Sequence, residues 1–308
     1  MKRVKISGKG KMSQVAFLLL VFFLFGCGIS ESWARTEKKP VAVFTQSVDQ
    51  SDADQLFARG KMVFQAGAHV SAVRMFEEAA NQGHVDSQLI LALMYYEGKG
   101  VRQDYVLAAG WFEKAASQGH AEAQYNLGLM YGRGEGVGQD HVLAREWWEN
   151  SASQGHANSQ YSLGAMYFGG LGIKKEDVLA REWWEKSASQ GHVDSQYSLG
   201  VMYYTGQGVQ KDEVKAAEWL EKAANQGHAR AQHDLGVMYY HGEGVDKDRV
   251  LAIQWFEKAA NQGEAQAQFT LGVMYYLGEG VIRDQDKACA LWRLYTLQTP
   301  HAVDMCPD

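Results

Sequence analysis

The stretch HAEAQYNLGLMYGRGEGVGQDHVLAREWWENSASQG, residues 120–155, determines the architecture of the chain because close copies of it recur along the sequence. Each copy ends in a Gln-Gly pair whose glycine returns every 36 residues. A period of this length is typical of a solenoid, in which every repeat buries its apolar face against its neighbour. The recurring glycines are Gly83, Gly119, Gly155, Gly191, Gly227 and Gly263.

One repeat is predicted to form two helices joined by a glycine-rich loop. Residues 121–131 and 144–152 each place apolar and small side chains at the i, i+3, i+4, i+7 spacing of one helical face. The loop between them, residues 132–139, contains too much glycine to remain helical. An acidic residue follows the loop and can cap the second helix, with Glu176 as a weaker cap in one repeat. The predicted aspartate caps are Asp104, Asp140, Asp212, Asp248 and Asp284.

Glycines inside the first helices predict close packing between the two helices of a repeat. Each such glycine costs about 1 kcal/mol relative to alanine, so close approach of the second helix is the expected compensation. We expect a column of tryptophans on the second helices to face these glycines. The glycines are Gly128, Gly164, Gly200, Gly236 and Gly272, and the tryptophans are Trp111, Trp147, Trp183, Trp219 and Trp255.

Three motifs of the repeat, Ala-x-Ala-Gln-Tyr-x-Leu-Gly-x-Met-Tyr, Gly-x-Gly-Val and Ala-x-x-Trp-x-x-Lys-Ala-Ala-x-Gln-Gly, resemble the Sel1-like repeat, a longer relative of the tetratricopeptide repeat. The resemblance covers six repeats at residues 84–298, and residues 51–83 resemble a plain tetratricopeptide hairpin that caps the N-terminal end. It implies an all-α fold, a right-handed α-solenoid of antiparallel helix pairs whose first helices line a concave groove. Members of this family are mostly adaptors, so it also implies protein binding without a cofactor.

The first 34 residues resemble an export signal. A cationic stretch at residues 2–11 precedes an apolar run at residues 15–25, about half the roughly 20 residues that a membrane-spanning helix requires. Cleavage after Ala34 would leave residues 35–50 as a linker. Alternatively, residues 24–27 resemble a bacterial lipobox, and lipidation of Cys27 would tether the protein to a membrane.

Two of the three cysteines lie outside this signal. Because cysteines of exported proteins usually pair, Cys289 and Cys306 are a candidate disulfide. The bond would join the C-terminal tail, residues 299–308, to the last helix. Two unpaired thiols are the alternative.

A partner-binding groove is predicted from the tetratricopeptide-like register, in which the second, fifth, ninth and twelfth positions of each first helix face the groove. The fifth and twelfth positions form aromatic columns, and aromatic side chains are typical interface anchors for an extended peptide. The alternative is that these tyrosines are core residues whose hydroxyls bond a neighbouring turn. The predicted groove residues are Tyr125, Tyr161, Tyr197, His233 and Phe269 at the fifth position, Tyr204, Tyr240 and Tyr276 at the twelfth, and Asp194 and Arg230 at the second.

A histidine begins five repeats, but we expect no metal site. Equivalent atoms of neighbouring repeats lie about 8–10 Å apart, whereas two ligands of one zinc ion lie within about 4 Å. We therefore expect these imidazoles to bond at the turns between repeats. Motifs of catalysis such as Ser-x-x-Lys, His-Glu-x-x-His and Gly-x-Ser-x-Gly do not occur, so no enzyme is predicted. The histidines are His84, His120, His156, His192 and His228.

The net charge of the chain limits the classes of partner that it is expected to bind. The formal net charge is −6, and five of the basic residues lie in the predicted export signal. The remaining acidic chain lacks the basic surface that nucleic acids or anionic membranes require. We predict an exported protein-interaction scaffold of the bacterial envelope, in the periplasm or tethered to the outer membrane. A secreted factor that binds a host protein and a binder of peptidoglycan or glycan fragments are the alternatives.

Overall fold

The computed structural model describes residues 52–299 and Cys306, and all regular structure in that part of the chain is α-helical. The predicted export signal, the lipobox with Cys27, the linker and most of the tail lie outside the described residues. None of the described helices is both long and apolar enough to span a bilayer. The helices are α1 Asp52–Gln65, α2 His69–Asn81, α3 Val85–Glu97, α4 Tyr105–Ser117, α5 Ala121–Arg133, α6 His141–Ser153, α7 Ala157–Gly169, α8 Asp177–Ser189, α9 Val193–Thr205, α10 Glu213–Asn225, α11 Ala229–His241, α12 Arg249–Asn261, α13 Ala265–Leu277 and α14 Gln285–Gln298.

Successive helices pack together as hairpins, which confirms the predicted all-α arrangement of helix pairs. The chain divides into two compact units. Among the described residues, the first comprises residues 52–151 with Leu171–Ile173, and the second comprises Ala152–Gly170 with residues 174–299 and Cys306.

The ends of the helices follow the predicted capping pattern. Asp104 Oδ1 accepts hydrogen bonds from the backbone N–H groups of Val106 and Leu107, at 3.0 Å each. Glu176, the predicted weak cap, makes no side-chain capping bond. Gly134 ends α5 in the left-handed conformation at φ 72°, which a residue with a side chain rarely adopts.

The Gly-x-Gly loop of each repeat packs on the second helix of the preceding repeat. A Cβ added at Gly244 would lie 2.1 Å from the carbonyl oxygen of Glu213, and one at Gly136 would lie 2.1 Å from that of Tyr105. Both glycines also have positive φ, 69° and 70°. Close backbone contact and backbone conformation therefore both require glycine at the end of this motif.

The second helices present a different residue to the helical glycines than we predicted. A Cβ at Gly164 would lie 2.4 Å from Cδ1 of Trp184, so the prediction that the column with Trp183 faces these glycines is wrong by one residue. One residue turns a helix by about 100°, which moves Trp183 to the outer side, where Lys186 Nζ lies 4.1 Å from its ring centroid. The other glycine contacts are Gly128 with Trp148, Gly200 with Leu220, Gly236 with Phe256 and Gly272 with Trp292.

Candidate functional site: the first helices and their contacts

The histidine column caps the first helices. His228 Nδ1 accepts a hydrogen bond from the backbone N–H of Ala231 at 3.0 Å, and His84 Nδ1 accepts one from Ser87 at 3.1 Å. Equivalent bonds form at His120, His156 and His192. This arrangement confirms the predicted role of these imidazoles at the turns between repeats. No group of three His, Cys, Asp or Glu side chains in residues 52–299 or at Cys306 could hold a metal ion.

The opposite side of the imidazole contacts the preceding repeat. The ring of His228 stacks on Tyr197 with centroids 4.4 Å apart, and its Nε2 lies 3.5 Å from Asp194 Oδ1. Because Nδ1 accepts a hydrogen bond, the proton of the neutral ring is on Nε2, facing the carboxylate. We call this contact between repeats the histidine clasp: the capping histidine, the fifth-position ring and the second-position acidic residue. Phe57 and Asp54 contact His84 in the same way.

The histidine clasp changes the role of several predicted groove residues. Tyr197 is 4% exposed, and its hydroxyl donates to Asp234 Oδ2 at 3.2 Å. Burial, with the charge of Asp234, raises the pKa of this phenol. Tyr197 is therefore a core residue between two repeats and not an anchor on an open groove. Asp194 remains 54% exposed while it contacts the imidazole of His228, whose hydrogen bond lowers the pKa of the carboxyl.

The remaining fifth-position residues are only partly covered. Tyr125 and Tyr161 are half-buried, and the ring of Tyr161 stacks on His192 at 4.7 Å. Phe269 is also half-buried, with its centroid 5.2 Å from that of Tyr295. Rings in this column therefore keep some exposed surface while neighbouring residues fix their orientation.

His233 departs from the aromatic pattern because it forms a partly buried pair with Asp234. Its Nδ1 lies 3.0 Å from Asp234 Oδ1, and its ring centroid lies 5.6 Å from that of Phe256. Burial alone would lower the imidazole pKa, but the hydrogen bond and charge of Asp234, aided by Glu264, raise it. The second-position Arg230 is half-buried.

The twelfth position forms a second contact between repeats. Tyr204 Oη donates to Glu243 at 2.7 Å, and Glu243 stands between the two glycines of the next repeat. Tyr240 donates in the same way to Glu279. Burial, reinforced by the hydrogen bond from the hydroxyl to the carboxylate, raises the pKa of Tyr204. We call this pair of tyrosine and loop glutamate the tyrosine clasp.

A tyrosine clasp is also present in the described part of the first unit. Tyr96 donates to Glu135 at 2.8 Å and accepts from Arg133 at 3.1 Å. Burial and the hydrogen bond to Glu135 raise the pKa of Tyr96 to about 12. The clasp therefore recurs in both units with the same donor and acceptor.

The two residues of the tyrosine clasp vary together along the chain. Gly132 and Phe168 stand at the twelfth position without a hydroxyl, and the next loops carry Leu171 and Gln207 in place of glutamate. This pairing is visible in the sequence once each twelfth position is aligned with the loop of the following repeat. The last residue at the twelfth position is Tyr276. Its ring centroid lies 5.5 Å from that of Trp292, and the Arg283 guanidinium lies 5.6 Å from it.

The structure does not join Cys289 to Cys306 by a disulfide bond. Both side chains are half-buried. The disulfide stays a prediction.

This geometry defines the protein as a solenoid of helix pairs in which the histidine clasp and the tyrosine clasp connect neighbouring repeats. The Sel1 repeat family model matches seven consecutive segments, and the chain belongs to this family. The first match includes the hairpin for which the sequence predicts a plain tetratricopeptide unit. The segments are residues 55–84, 85–120, 121–156, 157–192, 193–228, 229–264 and 265–294.

Two solved structures are similar to the chain over most of its length. One is a protective antigen present in uropathogenic Escherichia coli strains, with 37% identity and a TM-score of 0.76. The match covers 80% of this chain but 54% of that protein, so this chain spans about half of its length. The other is a Sel1 repeat protein from Oxalobacter formigenes, with 28% identity, a TM-score of 0.71, and 80% and 97% of the two chains covered. Among curated proteins, none matches.

Proposed function

We propose that this protein is an exported protein-interaction scaffold of the bacterial envelope that binds an extended partner segment along the first helices of its second unit. One observation carries the proposal. Tyr161, Tyr240 and Tyr276 are half-buried, so part of each ring remains available, yet each ring is held by a neighbouring side chain. Such rings are rigid aromatic anchors that recur along the repeats.

The physical advantage of this surface is preorganisation. Ordering a flexible side chain upon binding costs about 0.5–1.5 kcal/mol. The rings of Tyr161 and Tyr240 are already fixed by His192 and Glu279, so a partner meets aromatic surface without that cost. Aromatic residues are enriched among the anchors of protein interfaces. The scaffold needs no cofactor and no catalytic group for this role.

Similarity to the uropathogenic Escherichia coli antigen supports export. An antigen must be accessible to the host, and this chain is 37% identical to that protein over 80% of its own length. The same likeness favours one alternative, a secreted factor that binds a host protein. The partner would then come from the host and not from the envelope.

Site-specific photo-crosslinking in cells tests the groove. A photoreactive phenylalanine analogue replaces Tyr240, and in a control it replaces the exposed Glu221 on the second helix α10. We expect one partner to be captured from position 240 and not from 221. Capture should fall in a Tyr161→Ala/Tyr276→Ala background and persist in the matched Tyr161→Phe/Tyr276→Phe background. Equal capture from both positions would place binding elsewhere on the surface.

Cell fractionation and mass spectrometry of the mature N-terminus test export. A chain that begins at Arg35 in the periplasm supports a soluble scaffold, and a lipid on Cys27 in the membrane fraction supports a tethered one. Recovery from the medium supports the secreted factor. A chain that retains residues 1–34 in the cytoplasm would contradict export.

A further inference from the structure

The first hairpin lacks the Gly-x-Gly loop that connects the two helices of the later repeats. Residues 66–68 alone connect α1 and α2, whereas residues 98–104 connect α3 and α4. The longer loops contribute a valine after Gly-x-Gly that packs on the core, as Val101 and Val137 do. The short turn of the first hairpin, residues 66–68, has no equivalent of this valine.

A cavity of about 570 Å³ is present next to this short turn. Its apolar wall is formed by side chains from α1, α2 and α3. The volume lies within the range of about 300–1,000 Å³ that is typical of small-molecule sites. The wall residues are Phe64, Phe76, Ile90, Leu93 and Met94.

The polar rim of the cavity has an excess of positive charge. Lys61, Lys99 and Glu97 line it, which gives one net positive charge if all three are ionised. The Lys99 ammonium lies 4.7 Å from the centroid of the Phe64 ring, at the boundary between the rim and the apolar wall. A single anionic group attached to an apolar body would match this distribution.

A buried polar atom at the cavity also has no hydrogen-bond partner among residues 52–299. His69 lines the cavity with its ring centroid 4.7 Å from that of Phe64, and its Nδ1 has no hydrogen-bond partner in the described part of the chain. Buried polar atoms without partners are uncommon in folded proteins, and each requires an explanation such as an absent ligand. A polar atom of a ligand in the cavity would give this Nδ1 a hydrogen-bond partner.

We propose that this cavity binds a small amphipathic monoanion, a carboxylate that carries a flexible apolar chain, as in a medium-chain fatty acid. The chain lies against Phe64, Leu93 and Met94. The carboxylate faces Lys61 and Lys99. The concave shape and the volume favour a small molecule over a surface peptide. This site is independent of the partner groove proposed above.

Calorimetric titration of the whole chain with decanoate tests the cavity. We expect saturable binding of one decanoate that Leu93→Trp weakens by about tenfold or more, because the larger side chain occupies the apolar volume. Leu129 occupies the equivalent position one repeat later, so Leu129→Trp is the matched control and should leave binding unchanged. Absence of binding, or equal binding by Leu93→Trp and the unmodified chain, overturns the proposal.

The head group has its own test. Decanol should bind about tenfold more weakly than decanoate, and Lys61→Gln/Lys99→Gln should remove most of that difference. Lys114→Gln/Lys222→Gln carries the same charge change away from the cavity and should keep the preference. Equal affinity for decanol and decanoate overturns the assignment of an anion.

An NMR measurement on the unmodified chain tests the site without any substitution that could impair folding. Decanoate should shift the imidazole NMR signals of His69 and leave those of His192 in place. A peptide amide with an apolar side chain should cause no shift. An unchanged His69 signal at saturating decanoate overturns the site even if binding is seen.

Discussion

The histidine clasp and the tyrosine clasp both join neighbouring repeats, at opposite ends of the first helices, but they tolerate change differently. At one end, the capping histidine is present at five positions and Glu264 takes over its capping bond at the sixth, accepting from Ala267. At the other end, the tyrosine disappears at Gly132 and Phe168, together with the loop glutamate. The first contact also caps a helix, whereas the second only connects neighbours.

The difference shows which contacts of a repeat protein must be kept for folding and which can change from one repeat to the next. A capping group satisfies backbone N–H groups at the start of a helix, and its loss leaves those groups without that partner. A hydrogen bond between two side chains can be lost at both ends with little effect, because no polar group remains buried and unpaired. Surface that must vary for recognition is therefore expected near the tyrosine clasp.

The largest expected effect comes from disrupting the loop that carries the tyrosine clasp. Gly244→Ala places a methyl group 2.1 Å from the Glu213 carbonyl oxygen at a positive φ, so we expect a loss of about 3 kcal/mol in unfolding free energy. Gly227 also has positive φ, but a Cβ added there would meet no atom within 4 Å, so Gly227→Ala should cost about 1 kcal/mol. Urea denaturation measures both. Equal losses would mean that backbone conformation alone requires these glycines.

The second prediction removes one histidine clasp. His228→Ala deletes a helix cap and a ring stacked on Tyr197, and we expect a loss of about 1.5–2.5 kcal/mol. His228→Asn keeps a capping oxygen but no ring, so it should lose about half as much. If asparagine and alanine are equally harmful, the cap contributes little and the stacking dominates.

Much of the histidine clasp could be predicted from the sequence, whereas the burial of its ring Tyr197 could not. The period, the aspartate caps and the turn role of the histidines follow from local rules that need only chain spacing. Burial of Tyr197 depends on Asp234 in the next repeat, and a position on one helix does not reveal which side the next repeat covers. The tryptophan column failed for a related reason, since both Trp183 and Trp184 suit a core.

The tyrosine clasp can be predicted from the sequence only when neighbouring repeats are aligned with each other. Tyr204 and Glu243 are 39 residues apart, slightly more than one repeat, so the pair is not visible inside a single repeat. Aligning the twelfth position with the following loop exposes it. The cavity beside the first hairpin, by contrast, could not be predicted, because the sequence indicates a missing loop but not whether the neighbouring side chains fill its space.

The third prediction removes one tyrosine clasp. Tyr204→Phe deletes the hydroxyl that donates to Glu243, and we expect a loss of about 1 kcal/mol in unfolding free energy. Glu243→Gln in the Tyr204→Phe background should have almost no further effect, because the bond is already absent. Full additivity of the two substitutions in urea denaturation would show that the residues are not coupled.

Acidification should weaken the contribution of the capping residue His192 to stability. Burial lowers the pKa of His192 below its ordinary value of 6.5, so its contribution to stability is present above that value and is lost as the pH falls through it. His233 has the opposite sign, because Asp234 raises its pKa and its contribution is lost as the pH rises. Melting curves at about pH 7.5 and about pH 5.5, on either side of the ordinary histidine pKa, should show a smaller acid loss for His192→Asn than for the unmodified chain. If both proteins lost the same stability on acidification, groups other than His192 would be responsible for that loss.

The smallest expected effect installs a tyrosine clasp where the chain has none. Phe168 already occupies the twelfth position with its ring 5.2 Å from Trp184, and Gln207 stands between the glycines of the next loop. Phe168→Tyr with Gln207→Glu should recreate the pair, with a coupling free energy of about 0.5–1 kcal/mol in a double-mutant cycle. Gln207→Glu alone should destabilise slightly, because it places a second carboxylate near Asp177. Zero coupling would mean that the joint variation along the chain reflects something other than this hydrogen bond.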